Sequence, residues 1–195
     1  MKHISYYNRN SNGYIEQTKD ADLSFLYKRF LPLLPPGGTI IDGGCGSGRD
    51  LRYFRLRGYK AEGFDSSEKM ATAASCYSGA KVRNMRFEDL DETDEYDGFW
   101  ACASLIHVPR DLHKKVFTSI YRSLRNGGIL YCSFKDSEED FYDGERVFYC
   151  YTVQQLGEFV RNNTDFSIID IWKSQDTSRK DLLWTNALLR KVTFS

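Results

Sequence analysis

The sequence carries no excess of charge: 27 Lys plus Arg stand against 27 Asp plus Glu. A protein held mainly by phosphate contacts needs a basic surplus, so no nucleic-acid partner is expected. No apolar run approaches the roughly 18 residues of a membrane span, and no membrane partner is expected. The first ten residues hold Lys2, His3 and Arg9 but no apolar stretch of a signal peptide, which points to a soluble, cytoplasmic protein. Cysteine is sparse. Cys45, Cys76, Cys102, Cys132 and Cys150 are odd in number and form no CxxC pair, which excludes a disulfide framework or a cysteine metal knuckle. His3, His107 and His113 are the only histidines and are too scattered for a zinc pattern, so no metal is expected.

What remains is ordinary globular composition, 41% hydrophobic and 28% charged, on a 195-residue chain long enough for one well-buried core. A single domain over 1–195 is expected. Leu23, Leu26, Phe30, Leu33 and Leu34 recur at three- and four-residue spacing and predict an amphipathic helix over 18–34. Thr39-Ile40-Ile41 opens a strand that stops at Asp42, and a helix over 49–57 ends before Gly58. Further strands are predicted over 59–65, 81–87, 98–103 and 129–134, with helices over 67–77 and 110–125. The acidic, aperiodic stretch 136–146 predicts a loop, and 136–151 as a whole a lid or insertion. Thr152 begins another helix, where Gln155 can complete a capping box. Two alternating stretches, 166–172 and 182–189, close the chain as a hairpin. The pattern is α/β: three layers, doubly wound, with a mostly parallel seven-stranded sheet and an antiparallel C-terminal hairpin.

The densest signal is Asp42-Gly43-Gly44-Cys45-Gly46-Ser47-Gly48-Arg49-Asp50. Glycines at 44, 46 and 48 let a ligand approach the backbone, and the following helix offers free N–H groups. The dinucleotide pattern G-x-G-x-x-G fails, because its third glycine would fall on Arg49 or Leu51. A P-loop fails for want of Gly-Lys-Ser/Thr. The chain has D-x-G-x-G-x-G instead. Asp65, at the end of the second strand, is placed to accept hydrogen bonds from both ribose hydroxyls of an adenosine ligand.

These residues carry a resemblance. Asp42 to Gly48 resembles the first motif of the class I S-adenosylmethionine-dependent methyltransferases, and Asp65 their second-strand acidic residue. Arg86-Phe87-Glu88 is similar to the segment flanking adenine, Tyr96 to Ala103 to the fourth motif, and Leu124 to Leu130 to the fifth. Gly46 to Asp50 with Ala101 to Pro109 is similar to small bacterial tellurite-resistance-type methyltransferases. The resemblance implies a Rossmann-like methyltransferase fold with S-adenosylmethionine as cofactor and S-adenosylhomocysteine as product. It implies cofactor contacts from Asp42, Gly43, Gly44, Gly46, Gly48 and Arg49. Backbone near Gly44, Ala101 and Cys102 would face the methionine end, and Asp65 would hold the ribose. Ser66 and Met70 would border the adenine, whose edge Phe87 and Glu88 would read.

The activated methyl needs an acceptor aligned in line, and a general base only where that acceptor carries a proton. His107, a few residues past the fourth strand, is the candidate base. His113 is expected on an exposed helix face. Tyr7 and Tyr14 belong to an N-terminal lid that, with the first helix, spans 1–34. Lys135 follows the fifth strand, Arg146 lies in the insertion, and Trp184 on the last strand could line the pocket. Lys135 and Arg146 would suit an anionic acceptor. A small-molecule acceptor, methylated without a metal by a monomer or homodimer, is the function expected. The alternative is a non-catalytic sensor of S-adenosylmethionine or S-adenosylhomocysteine.

Overall fold

Continuous apolar runs, their side chains pointing alternately to the two faces, build the centre of the molecule. The structure, a computed structural model, describes residues 2–192. Strand β1 (Thr39–Gly43), β4 (Tyr96–Ala101) and β5 (Leu124–Lys135) lie side by side. Ile40, Trp100 and Tyr131 point to one face of them and Ile41, Phe99 and Leu130 to the other, all fully buried. A strand buried on both faces must be covered by helices above and below, which fixes the three layers.

On the first face, Phe30 of α2 (Ser24–Phe30) and Leu51 and Phe54 of α3 (Arg49–Leu56) enclose Trp100, which stacks on Tyr131 with ring centroids 4.1 Å apart. On the second, Val116, Phe117 and Ile120 of α5 (His113–Ser123) and Leu156 and Val160 of α6 (Val153–Asn163) cover Phe99 and Leu130. The remaining sheet strands are β2 (Lys60–Asp65), β3 (Val82–Asn84), β8 (Phe166–Gln175) and β9 (Leu183–Lys191), and α4 (Glu68–Ser78) joins β2 to β3. The order is β3-β2-β1-β4-β5-β9-β8, with β9 antiparallel to both neighbours and the rest parallel. The chain reverses its direction of winding between β1 and β4. Ligands bind beyond the carboxyl ends of strands at such a point.

The seven strands and the closing hairpin agree with the sequence reading; several bounds do not. The helix expected over 18–34 is split. Residues 2–18 form α1 (Lys2–Thr18), the chain turns at 19–23, and the Asp22 carboxylate accepts the Ser24 N–H at 2.8 Å. The loop expected over 136–146 contains a small antiparallel hairpin of β6 (Phe141–Asp143) and β7 (Arg146–Phe148). β5 begins at Leu124 rather than 129, because Tyr96 already pairs with Leu124 across a register shift. α5 begins only at His113, after a 3-10 turn over Arg110–Leu112. His113 is fully buried, not exposed. Its Nε2 lies 2.8 Å from the Val108 carbonyl and its Nδ1 2.9 Å from the Tyr151 hydroxyl. The carbonyl can only accept, so Nε2 carries the proton and Nδ1 accepts from Tyr151. Burial pulls the ring down to about 4, and it stays neutral.

Candidate active site

The glycine loop leaves β1 at Gly43, and each of its glycines has a different steric reason. A Cβ on Gly43 would stand 2.7 Å from the Phe87 ring, and one on Gly48 2.8 Å from the Ala74 backbone. Both are packing positions. Gly44 (φ +68°) faces Ser104, where a Cβ would stand 2.5 Å from that residue's own Cβ. Gly46 (φ +54°) is the open one, with the Tyr14 ring 3.7 Å from where a Cβ would be. Gly44 and Gly46 line the floor of a narrow cleft; Gly43 and Gly48 do not.

Asp65 ends β2 beside this loop. Its two carboxylate oxygens accept the Gly46 N–H at 3.0 Å and the Ser67 N–H at 2.8 Å. Burial lifts the carboxyl to about 6 in spite of those bonds. Ser66, Met70, Phe87 and Glu88 complete the cleft, and Arg86 is ion-paired to Glu88. Ser67 Oγ caps α4 by accepting the Met70 N–H and donates to the Asn8 side chain of α1 at 2.6 Å.

Asp42 is buried at the root of the loop, and its Oδ2 has no hydrogen-bond partner among the described residues. Burial, then the negative charges of Asp50 and Asp65, push its carboxyl well above the usual range. Asp50 behaves oppositely. Burial alone would raise it, but Arg49 binds it through Nε and Nη2, at 2.6 and 2.9 Å. Tyr27 and Trp100 also donate to it, at 2.5 and 2.8 Å. The third guanidinium nitrogen of Arg49 donates to the Thr18 carbonyl, so its head ties α1 to α3. The Cys102 thiol is pushed up to about 12 by burial and by Asp50, which leaves it a protonated, unreactive group. Ala101 is fully buried behind it.

His107 sits on the 3-10 turn after β4. Its Nδ1 is 3.0 Å from the Val147 carbonyl and its Nε2 2.9 Å from the Tyr7 hydroxyl. A carbonyl accepts only, so Nδ1 holds the proton and Nε2 accepts from the Tyr7 hydroxyl. Tyr7 packs edge-on against Tyr14, and its hydroxyl is held protonated by burial against the opposing pull of Arg146.

Beyond the cleft lies a cavity of about 1070 Å³. Tyr7, Tyr14, Gly44, Gly46 and Ala103 border both spaces. Tyr7, Tyr14, Lys135, Arg146 and Trp184, scattered over most of the sequence, meet on the larger cavity's wall, and Cys102 reaches it too. Lys135 is 7% exposed, with its ammonium 3.5 Å from the Phe148 ring centroid. Burial, then Arg179 and Arg146, pull it down to about 8.

Two further residues escaped the sequence reading. Ser104 donates to the Gly43 carbonyl at 2.6 Å, locking the loop after β4 onto the loop after β1. Ala103, beside it, has φ +53°. A non-glycine residue held there is strained, and such strain gathers at functional sites. Nothing in the sequence marks it. Among the described residues no group of three or more His, Cys, Asp and Glu could hold a metal, and no helix is long and apolar enough to cross a membrane.

Comparison with known proteins supplies the family. No curated protein matches the sequence. A solved 1,6-didemethyltoxoflavin-N1-methyltransferase of Burkholderia thailandensis, with bound 1,6-didemethyltoxoflavin and S-adenosylhomocysteine, is similar at TM-score 0.82 and 19% identity, over 98% of this chain and 88% of that one. A SAM-dependent methyltransferase of Methanosarcina mazei is similar at 0.74 and 18%, over 84% and 97%. Phosphoethanolamine N-methyltransferase 2 of Haemonchus contortus, in complex with phosphomonomethylethanolamine and S-adenosylhomocysteine, is similar at 0.70 and 17%, over 88% and 52%. These likenesses are of fold. The profile of a methyltransferase domain family matches residues 14–162, and the chain belongs to that family as a class I S-adenosylmethionine-dependent methyltransferase.

Proposed function

We propose that the protein methylates a small molecule in the larger cavity, using S-adenosylmethionine bound across the glycine-loop cleft, without a metal. The observation that carries this reading is the pair of adjoining spaces. One is a cleft floored by Gly44 and Gly46 with Asp65 at its side; the other is a partly open cavity of about 1070 Å³, at the upper end of the scale of small-molecule sites.

The residues fit the cofactor. Gly44 and Gly46 form a cradle that side chains would fill, Asp65 faces it, and the orphaned Asp42 oxygen lies just behind it. Asp65 would hold the ribose, Ser66, Met70, Phe87 and Glu88 the adenine, and the backbone near Gly44 and Cys102 the methionyl end. When bound, the cofactor supplies a methyl group made electrophilic by its sulfonium. The chain's own task is then to orient the acceptor and exclude water; α1 borders both spaces and the β6–β7 hairpin borders the larger one. His107 Nε2 accepts from the Tyr7 hydroxyl, so it can draw a proton from an acceptor hydroxyl or amine by relay through Tyr7, whose oxygen takes the acceptor's proton as its own passes to Nε2. The Val147 carbonyl fixes its tautomer, and Tyr7 holds its ring in place. Five thiols without a disulfide among them accord with a reducing, cytoplasmic setting.

The test is an incubation of the protein with methyl-labelled S-adenosylmethionine and cell extract, followed by size separation. Label in a fraction below about 1,000 Å³ molecular volume supports the reading. Label in nucleic acid or protein contradicts the small acceptor, and binding of the cofactor with no label transferred favours a sensor.

A further inference from the structure

Cations outnumber carboxylates on the wall of the larger cavity, and the three carboxylates there are already engaged. Asp50 is held by Arg49, Tyr27 and Trp100. Asp143 is paired to Arg146, and Asp176 accepts from Trp184 Nε1 and from the Ser178 and Arg179 backbone. None reaches Lys135. Its ammonium makes no ion pair or hydrogen bond among the described residues; the rings of Phe148 and Phe141, 3.5 and 4.4 Å away, are its contacts. An aromatic face orients a cation without neutralising it.

Arg146 presents the same deficit a short distance away. Its Nη2 is spent on Asp143 and its guanidinium also engages the Tyr7 hydroxyl, while its Nε is buried with no hydrogen-bond partner among the described residues. Its guanidinium carbon lies 5.1 Å from the centroid of the same Phe148 ring and 4.4 Å from that of Tyr6. A buried ammonium and a half-buried guanidinium, each with an unspent donor, thus flank one aromatic ring inside one cavity. Leaving them so costs desolvation and mutual repulsion, which a single anion between them would relieve. Trp184 lies opposite Lys135 in the β5–β9 register, so their side chains share a face of the sheet.

We propose that Lys135 and Arg146 form an anion subsite that holds an oxyanion group, a carboxylate or a phosphate, on the methyl acceptor, whose apolar or aromatic body lies against Phe148 and Trp184. This rests on the methyltransferase reading and narrows its substrate class. The anionic group would be held beside β5 and β7, on the same side as His107, whose ring lies 4.9 Å from that of Phe148. Lys135 and Arg146 are binding residues; neither is asked to move a proton.

Calorimetry on the full chain saturated with S-adenosylhomocysteine tests it. The probes are benzoate, 1-naphthoate and phenyl phosphate against the neutral benzamide and 1-naphthamide. The wild type should bind at least one anion about tenfold more tightly than its neutral analogue, the scale of a charge-assisted hydrogen bond. Preference for phenyl phosphate assigns a phosphate and preference for the acids a carboxylate; either supports the subsite. Lys135→Met should abolish the preference and Lys135→Arg retain most of it, with affinity for S-adenosylhomocysteine within about twofold in both. If Lys135→Met fails to fold by thermal melt, Arg146→Gln takes its place. Equal binding of anion and amide by the wild type, no anion bound at all, or a preference that survives both substitutions overturns the proposal. Failure of the wild type to bind S-adenosylhomocysteine overturns instead the reading beneath it.

Discussion

The cleft above the glycine loop takes its walls from short stretches near 44–46, 64–70 and 85–88, joined by α1 and the turn after β4. The larger cavity draws on α1, β5, β7, the 174–179 turn and β9. The two also differ in charge. The carboxyls of Asp65 on the wall of the first and of Asp42 behind it at the root of the glycine loop are pushed up by desolvation, and the buried amine of Lys135 is pulled down in the second. Each region holds its own charge against desolvation; the cofactor brings a cationic sulfonium toward the first, and the acceptor proposed above would bring an oxyanion to the second. The contrast teaches that one protein of zero net charge can be two electrostatic half-sites facing each other.

Substitutions should separate the halves. The largest effect is expected from Gly44→Ala, which needs φ +68° and places a Cβ 2.5 Å from Ser104. Strain and overpacking should cost about 2 to 4 kcal/mol, read as a lowered melting temperature, and S-adenosylhomocysteine affinity should fall by at least about a hundredfold. His107→Ala should lower kcat by about a hundredfold for a protonated acceptor while leaving cofactor affinity within about threefold, measured by calorimetry and turnover.

Asp65→Asn should weaken S-adenosylhomocysteine by about tenfold through loss of a charged acceptor. It also carries a pH signature. A carboxyl lifted to about 6 in the fold ionises later than in the unfolded chain, near 3.9. The cofactor-free protein therefore loses stability as pH rises between these values, and Asp65→Asn should flatten that slope in denaturant titrations. In the wild type, cofactor affinity should rise as pH passes upward through about 6. The smallest effect is expected from Glu145→Gln, which breaks the exposed pair with Arg9 that joins the hairpin to α1. Stability should change by less than about 1 kcal/mol and turnover by less than about twofold.

The cleft was legible because its signals are local. Glycine spacing, a strand-ending Asp65 and the Thr152/Gln155 capping box, with both bonds present, each need only a few neighbouring residues. The sheet was legible because a strand buried on both faces must be a continuous apolar run, as in Phe99-Trp100-Ala101. α1 was not legible as a helix. Asn8, Asn10, Asn12 and Gly13 are weak helix formers, and what holds it is tertiary: Asn8 on Ser67, Tyr7 on His107, Arg9 on Glu145. His113, expected on an exposed helix face, instead satisfies both ring nitrogens inside the core. The cation pair at Lys135 and Arg146 was visible only as two separate residues. Their shared ring, Phe148, and the absence of a carboxylate for Lys135 among the described residues are properties of the folded wall.

The most direct test of two separable half-sites is calorimetric titration of S-adenosylhomocysteine into the wild type, Gly44→Ala and Lys135→Met at neutral pH. The wild type and Lys135→Met should bind with affinities within about twofold of each other, and Gly44→Ala should lose at least about a hundredfold. Equal loss in the two variants, or full binding by Gly44→Ala, would contradict the division.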